Sequence, residues 1–430
     1  MKRKLIWTVA NMCRLLISAI FIFSGIVKLI DPTGTAYKVT DYMLAIFGSS
    51  WLPWVATLML AVLLGLVEFC LGIYILFGIR RRWTTRIAVA LMVFYTPLTL
   101  WLAVTDAVPD CGCFGDALKL TTWQTFWKNV VLLALCVMSL RMRKHYTRFI
   151  SEQIQWLVSL YSIAYGLFLA ALCIYALPVI DFRPYHIGQY IPTAMEWPVD
   201  ADGIPQADAT PEIIDFDFAE ADEVLADTGY TFLLVAPALE VADDGNLDCI
   251  NAISDYATRY GYRFLCLTSS SEPAITRWQD LTGAEYPFSF ADAQMLMTMV
   301  RSNPGLVLIH DGTIINKWSS DTMPGEEALH APLHTLDIGR LHPSSYHRLL
   351  LSLLLWYLIP LLLLTIADRL VAGTKWYQRK NHALQEAMEG SAEQPVEYGE
   401  EQPVEGRKEQ LAEDGAEQLA DGDEIQDTLN

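Results

Sequence analysis

Charge is scarce in this chain: Asp, Glu, Lys and Arg make up 18% of its 430 residues, against 53% hydrophobic residues. That balance is unusual for a soluble protein of this length and is typical of a membrane protein. The Lys and Arg clusters all lie beside apolar runs, so no separate basic patch exists. Because a nucleic-acid partner requires such a patch, we expect no nucleic-acid binding. The predicted partner is the lipid bilayer.

Histidine is also scarce, and most of the histidines are scattered without ligand spacing: His186, His310, His330, His334, His342 and His347. None lies near the one closely spaced pair of cysteines. Two thiolates supply only half of a usual zinc site. The sequence therefore gives metal binding little support, and we predict no metal.

Six apolar runs are long enough to cross a bilayer as helices. They cover about residues 7–30, 54–78, 85–104, 123–140, 156–179 and 349–371. No small-residue cleavage site follows the first run, which predicts a retained helix rather than a removed signal peptide.

The basic residues alternate between the connections of these runs. Three lie at the N-terminus, and four lie in each of 80–86, 141–148 and 369–380, whereas 31–53 and 105–122 hold one each. By the positive-inside rule, both termini are predicted to be cytoplasmic, and 105–122 and 181–348 are predicted to lie outside. This predicts a multi-pass protein of a bacterial inner membrane.

A polar island at 106–116, DAVPDCGCFGD, separates two of the apolar runs. Cys111 and Cys113 lie one glycine apart, and two thiols at this spacing suffice for disulfide exchange. Gly112 allows backbone angles that relieve part of the strain of so small a ring. We predict that this pair is catalytic, oxidising an exported thiol-containing protein and passing electrons inward, with a quinone as the candidate acceptor. A structural disulfide and a metal site are the alternatives.

Glu68 lies inside the second apolar run, where an unpaired carboxylate is costly. Lys28, near the outer end of the first run, is its expected partner. The pair has two interpretations: a structural ion pair that fixes the packing of two helices, which we favour, or a proton acceptor at Glu68 beside a quinone or thiol site. Spacing alone does not separate them.

The composition becomes soluble between Asp181 and His347. From Tyr230 the pattern predicts the order β-α-β-α-β-α-β-β, ending in a hairpin at Asp311-Gly312. This order, with Ser302-Asn303-Pro304 before the hairpin, resembles a thioredoxin-like domain of the membrane-tethered thiol-disulfide type. The resemblance implies that Pro304 is cis and lies against the active-site position.

This domain departs from its family's pattern, because Cys-x-x-Cys is missing after the first strand. The segment APALEVADDGNLDCINAI contains only Cys249. A helix N-terminus would lower the pKa of its thiol, but no resolving partner is nearby, and Cys266 is expected in the core. We predict a redox-inactive scaffold, with a mixed disulfide at Cys249 as the alternative.

Three segments, FSGIVKLIDPTG, LVEFCLGIYILFG and DCGCFGD, are similar to the DoxX-like family that includes the methylamine utilisation protein MauE. The resemblance covers about residues 5–140. It implies a four-helix membrane unit with a role in maturation, including disulfide formation, of an exported protein. The helix arrangement also resembles that of quinone-linked vitamin K epoxide reductase-like enzymes.

The predicted fold is an α-helical membrane bundle, a four-helix MauE/DoxX-like core plus two further transmembrane helices, with a periplasmic α/β thioredoxin-like domain. The predicted function is thiol-disulfide exchange supporting maturation of exported proteins, and the alternative is a non-enzymatic scaffold that recruits a partner. The predicted segments are the four-helix domain at 1–148, a fifth transmembrane helix at 149–180, an irregular lead-in at 181–229, the thioredoxin-like domain at 230–325, a linker at 326–348, a sixth helix at 349–372 and a disordered acidic tail at 373–430.

Overall fold

A computed structural model of the chain describes residues 2–108, 112–118, 120–191, 229–341 and 345–392. The helices within these ranges are α1 (Lys2–Ile30), α2 (Pro32–Phe47), α3 (Trp54–Phe77), α4 (Arg81–Thr105), α5 (Thr122–Met142), α6 (Gln155–Ala176), α7 (Leu247–Tyr260), α8 (Glu272–Thr282), α9 (Ala293–Met299) and α10 (Ser345–Ala392). The strands are β1 (Tyr230–Ala236), β2 (Arg263–Thr268), β3 (Phe288–Phe290), β4 (Gly305–His310) and β5 (Thr313–Ser319).

Six helices of the described chain are long and apolar enough to cross a membrane: α1, α3, α4, α5, α6 and α10. The predicted number of spanning helices is therefore confirmed. With this many apolar helices, the chain is a multi-pass membrane protein.

Glycines allow α1 and α3 to pack unusually closely. A Cβ at Gly25 would lie 2.3 Å from the backbone nitrogen of Phe69, and one at Gly72 would lie 2.7 Å from that of Ile22. Helices in lipid associate through such small residues, because close backbone approach maximises packing contacts. This approach brings the polar side chains of α1 and α3 within hydrogen-bonding distance.

The bundle has one end that gathers the basic connections. Near the N-terminus, the Asn11 side chain donates to the carbonyl of His145 over 3.3 Å. The backbone nitrogen of Phe149 donates to the carbonyl of Phe77 over 3.4 Å. The Asp368 carboxylate, near the middle of α10, accepts from the backbone and hydroxyl of Ser151 at 2.7 and 2.6 Å. The N-terminus and the Lys/Arg-rich connections at 80–86 and 141–148 thus share one end, which we call the basic end, and α2 and Cys113 lie at the opposite loop end.

Helix α2 lies within residues 31–53, for which the apolar pattern predicts only a connection between two spans. The Asp31 side chain accepts from the backbone nitrogen of Gly34 over 2.8 Å, and Pro32 occupies the first helical position. Gly48 ends the helix in a left-handed conformation. Asp-Pro at the start and Gly at the end are ordinary helix boundary signals. The sequence therefore contained the information for this helix.

The soluble part is a five-stranded mixed sheet of order β3-β2-β1-β4-β5. Strands β1, β2 and β3 run parallel, while β4 and β5 are antiparallel additions. Side chains alternate along β1, so Phe232 and Leu234 join the core beneath α7 and α8, whereas Leu233 and Val235 join the core beneath α9. The predicted order of strands and helices is confirmed.

Two details of this sheet domain match the sequence expectations. The Asn303–Pro304 peptide bond is cis, and Cys266 is fully buried in the core on β2. The segment at 326–348, predicted as a linker, begins with short helical turns. Leu329 and Leu333 in these turns are buried in the same core as α7. Most of the predicted irregular lead-in, residues 192–228, lies outside the described residues.

Helix α10 is longer than the predicted sixth span and continues to Ala392. Residues beyond 372 are rich in Ala, Gln, Glu, Lys and Arg, which favour helix without requiring an apolar environment. The predicted disordered tail therefore does not begin at 373, and its acidic remainder, 393–430, lies outside the described residues. By its internal contacts the chain divides into two units, Met1–Arg369 and Leu370–Asn430.

A buried ion cluster anchors the sheet domain to the segment that follows α6. The Asp181 carboxylate binds the Arg183 guanidinium at 2.6 Å and the Lys317 ammonium, on β5, at 3.0 Å. All three side chains are less than one-tenth exposed. Burial raises the pKa of Asp181, but the two cations outweigh it and lower that pKa to about 2.

Replacing Asp181 by Asn is expected to destabilise the sheet domain by about 3–5 kcal/mol, because two buried cations lose their counter-ion. Since folding lowers this pKa, its stabilisation is complete above about pH 4 and is lost as the pH falls towards 2. Thiol labelling of the buried Cys266 during urea titration of the detergent-solubilised protein measures the opening. The exposed Asp280 on α8 supplies the control substitution, Asp280→Asn, and equal effects of the two would contradict this assignment.

Candidate functional site

Residues 112–117, which include Cys113, form a tight turn at the loop end of the bundle. Gly112 and Gly115 have φ angles of +62° and +51°, which favour glycine. The backbone nitrogen of Gly115 donates to the carbonyl of Gly112, and that of Ala117 to the carbonyl of Phe114, each over 3.2 Å. We call residues 112–117 the redox loop, after the cysteine chemistry predicted from the sequence. Cys113 is half-buried within it, and Cys111 lies outside the described residues.

Two side chains of α1 donate hydrogen bonds to the redox loop. The carbonyl oxygen of Cys113 accepts a hydrogen bond from Ser24 Oγ at 2.7 Å and one from Lys28 Nζ at 2.8 Å. A charged donor makes a stronger hydrogen bond than a neutral one, and burial strengthens it further. The position of Cys113 is therefore set by polar groups of the membrane bundle.

Those same side chains meet Glu68 of α3. Lys28 Nζ lies 2.8 Å from Glu68 Oε2, with side-chain exposures of 6% and 2%. Ser24 Oγ lies 2.7 Å from the same oxygen, and the hydroxyl of Tyr95 on α4 donates to Oε1 over 2.8 Å. The predicted pairing of Lys28 with Glu68 is confirmed. Ser24 and Tyr95 complete it, so both carboxylate oxygens are hydrogen-bonded inside the bundle.

A cavity of about 370 Å³ opens beside this network. At its polar end lie Ser24, Lys28, Glu68, Tyr95 and Cys113. The surrounding walls are mostly aliphatic and aromatic side chains of the bundle helices, among them Phe21, Met43, Leu64, Met92, Leu98 and Leu132. The arrangement fits a small apolar molecule with one polar group at the end near Cys113.

The sheet domain contacts the redox loop through Arg301, which follows α9. Arg301 Nη2 lies 2.9 Å from the Asp116 carboxylate of the loop and 3.0 Å from that of Asp31. Its Nη1 donates to the carbonyl of Met297 over 2.8 Å, and its guanidinium lies 5.6 Å from the ring centre of Tyr37. Burial lowers the pKa of Arg301, but the two carboxylates outweigh it and raise that pKa.

A second, more polar groove of about 730 Å³ lies between α2 and α9. Val108 and Asp116, which flank the Cys-Gly-Cys segment, both line it. Lys38 of α2 lines the groove and also the membrane cavity. The segment thus lies between an apolar cavity and a polar groove.

The other predicted site residues are not part of this arrangement of contacts. Pro304 is buried beside the segment after β1, since the Asn303 side chain donates to the carbonyl of Ala238 over 2.7 Å. Cys249, near the start of α7, is half-buried and its thiol donates to the carbonyl of Pro324 over 3.4 Å. Burial raises the pKa of this thiol, so the lowered pKa expected from the helix N-terminus is wrong. Desolvation outweighs the helix dipole there.

Sequence reasoning missed four contributors: Tyr95, Arg301, Asp31 and Asp116. Asp31 and Asp116 stood in the segments that carried the family resemblance, but only as unassigned residues. Arg301 lies 185 residues from Asp116 in sequence, and no periodicity relates them. Among the described residues, no group of three or more His, Cys, Asp and Glu side chains has a metal-binding arrangement.

Residues 3–142 match the family model described as methylamine utilisation protein MauE. The first third of this chain is MauE-like. The matched region runs from α1 to the end of α5 and contains Lys28, Glu68, Tyr95 and Cys113. No curated protein and no solved structure matches the chain. The predicted resemblance to MauE is thus confirmed for these residues, whereas the DoxX-like and thioredoxin-like relationships stay predictions.

A double-mutant cycle tests the buried pair. Lys28→Met and Glu68→Gln are each expected to cost about 3–5 kcal/mol of stability, because each leaves a buried charge without its partner. The double variant is expected to lose less than the sum, since it buries neither charge. Thermal unfolding in detergent, followed by tryptophan fluorescence, measures the cycle. Ser24→Ala, which removes a neutral donor, is the milder control at about 1 kcal/mol, and strict additivity of the pair would contradict direct coupling.

Proposed function

We propose that the protein is an inner-membrane thiol-disulfide oxidoreductase that oxidises exported polypeptides, with Cys111 and Cys113 as its redox pair. The observation that carries this proposal is the position of Cys113, held by Lys28 and Ser24 at the polar end of an apolar cavity. A purely structural disulfide does not need a cavity of this kind beside it. The printed family description names methylamine utilisation, and we assign no methylamine-related substrate.

The proposed reaction has two exchanges: a disulfide exchange with the polypeptide and an exchange of electrons that reoxidises the loop cysteines. One thiolate of the reduced polypeptide attacks the Cys111–Cys113 disulfide, which forms a mixed disulfide and releases one loop thiol. The second polypeptide thiolate then attacks the mixed disulfide, which forms the polypeptide's disulfide and releases the other loop thiol. The loop thiols then give up two electrons and two protons and become a disulfide again. The groove between α2 and α9 supports the first exchange, because both flanks of the Cys-Gly-Cys segment line it.

The second exchange needs an electron acceptor, and we propose a quinone. The lining residues fit one, because apolar walls suit its ring and tail and the polar end of the cavity near Cys113 suits its carbonyl oxygen. A bound quinone would supply the two-electron sink. Cys113 lines the same cavity, so the loop and the acceptor would share one chamber.

Glu68 has the geometry of a proton acceptor in this scheme. Its Oε2 is hydrogen-bonded to Ser24 Oγ and Lys28 Nζ, and both of those atoms also contact the Cys113 carbonyl. Ser24 Oγ, which contacts both the backbone of Cys113 and Glu68 Oε2, would be the last hydroxyl on the path of a proton to Glu68, and Tyr95 contacts the other carboxylate oxygen. The structural interpretation of the pair and its proton role are compatible, because one network performs both.

The sheet domain, in this proposal, is a thioredoxin-like scaffold without redox activity. Three parallel strands followed by an antiparallel pair, with a cis-proline before β4, support the thioredoxin-like assignment. The raised pKa of Cys249 and its lack of a neighbouring cysteine in sequence support inactivity. The basic end of the bundle supports cytoplasmic termini and a periplasmic sheet domain and redox loop.

Thiol trapping in intact cells tests the proposal. After an acid quench and mass tagging, Cys111 and Cys113 are expected to be partly reduced, and more reduced when respiration is blocked. Cys113→Ser is expected to abolish formation of the polypeptide substrate's disulfide, because one thiol cannot regenerate the oxidant. Cys249→Ser is the matched control and is expected to retain activity.

A pair that stays fully oxidised under respiratory block would contradict the proposal and favour a structural disulfide. Should deletion of residues 230–320 impair exported proteins while Cys113→Ser does not, the non-enzymatic scaffold would be the better description.

A separate experiment tests whether a quinone accepts the electrons at the cavity. Tyr95→Phe is expected to slow reoxidation of the reduced pair by added quinone in proteoliposomes, because Glu68 Oε1 loses its hydroxyl partner at the cavity. Stopped reactions assayed by mass tagging give the rate. Tyr377→Phe, in the exposed part of α10, is the control, and equal rates for the two variants would count against the cavity as the acceptor site.

A further inference from the structure

Both the membrane bundle and the sheet domain bind the redox loop. From the membrane bundle, Ser24 and Lys28 bind the carbonyl of Cys113. From the sheet domain, Arg301 binds the carboxylate of Asp116, three residues further along. The two backbone hydrogen bonds inside residues 112–117 connect these points into one tight turn. We therefore expect a displacement of Asp116 to shift Cys113.

Arg301 is well placed to act as a clamp. Its side chain is only 10% exposed, so solvent screens its ion pairs weakly. One guanidinium binds Asp116 of the loop, the cap of α2 at Asp31 and the end of α9 at Met297. Three elements that are distant in sequence thus share a single planar cation, a geometry that arginine provides and lysine does not.

We propose that Arg301 is a positioning residue for the redox loop, and that the sheet domain supplies this guanidinium to seat Cys113 over the membrane cavity. The domain then contributes to disulfide exchange without a cysteine pair of its own. The catalytic consequence rests on the proposed function, whereas the seating of the loop is a structural property that is measurable without turnover.

The seating is tested by the reactivity of Cys113 towards a membrane-impermeant maleimide. The background is the full-length chain carrying Cys111→Ser and Cys249→Ser, and peptide mass spectrometry identifies the labelled cysteine. Arg301→Gln and Asp116→Asn are each expected to raise the labelling rate of Cys113 about tenfold, which corresponds to about 1.4 kcal/mol. The double variant is expected to label no faster than Arg301→Gln, because both changes break the same contact.

Cys266 provides an internal control, because it is fully buried in the core of the sheet domain. The proposal expects Cys266 to stay protected while Cys113 becomes reactive. Arg301→Lys is expected to restore part of the protection, since it keeps the charge but not the fork of donors.

Two results would overturn the proposal. One is unchanged Cys113 labelling in both single variants. The other is a rise in Cys113 labelling only together with that of Cys266, which would indicate unfolding of the domain instead of release of the loop. In the chain with both loop cysteines, Arg301→Gln is expected to slow substrate oxidation. If labelling rises while the parent chain shows no redox turnover, the positioning stands and the oxidoreductase function fails.

Discussion

The buried ion pair between Lys28 and Glu68 is the interaction on which the rest of the site depends. Two charges inside an apolar bundle are costly unless their hydrogen bonds are satisfied. Ser24, Tyr95 and the carbonyl of Cys113 provide those bonds. The backbone of the redox loop completes the hydrogen bonding of the buried Lys28 ammonium. The loop therefore lowers the cost of removing this charge from water. Loop position and bundle stability are coupled for that reason.

The packing of α1 against α3 makes the pair possible. Gly25 and Gly72 remove the side chains that would separate the two backbones, and the polar groups of both helices then meet near the loop end. The cavity opens on one side of this meeting point and the groove between α2 and α9 lies near the other flank of the loop. In the proposed function, electrons would enter from a polypeptide in the groove and leave through the membrane cavity.

The sheet domain is joined to the rest of the protein by two ionic connections. Its five-stranded mixed sheet has no Cys-x-x-Cys after β1, and burial raises the pKa of the Cys249 thiol. The domain nevertheless keeps a buried connection to the segment after α6, through Asp181 and Lys317, and a second one to the loop through Arg301. Its position relative to the redox loop is specified by charges at both connections.

Much of this organisation is readable from local sequence. Long apolar runs must become spanning helices in lipid, alternating strands and turn residues predict the order of the sheet domain, and a lone carboxylate at Glu68 requires a cation such as Lys28. Helix α2 was also encoded, by Asp31-Pro32 and Gly48, although it was not recognised. Three features depend on which parts of the chain pack together in the fold: the ion pairs of Arg301, the hydrogen bond of Tyr95 and the cavity beside Cys113. Such contacts join residues far apart in the chain, and no local pattern constrains them, so they became visible only in the folded protein.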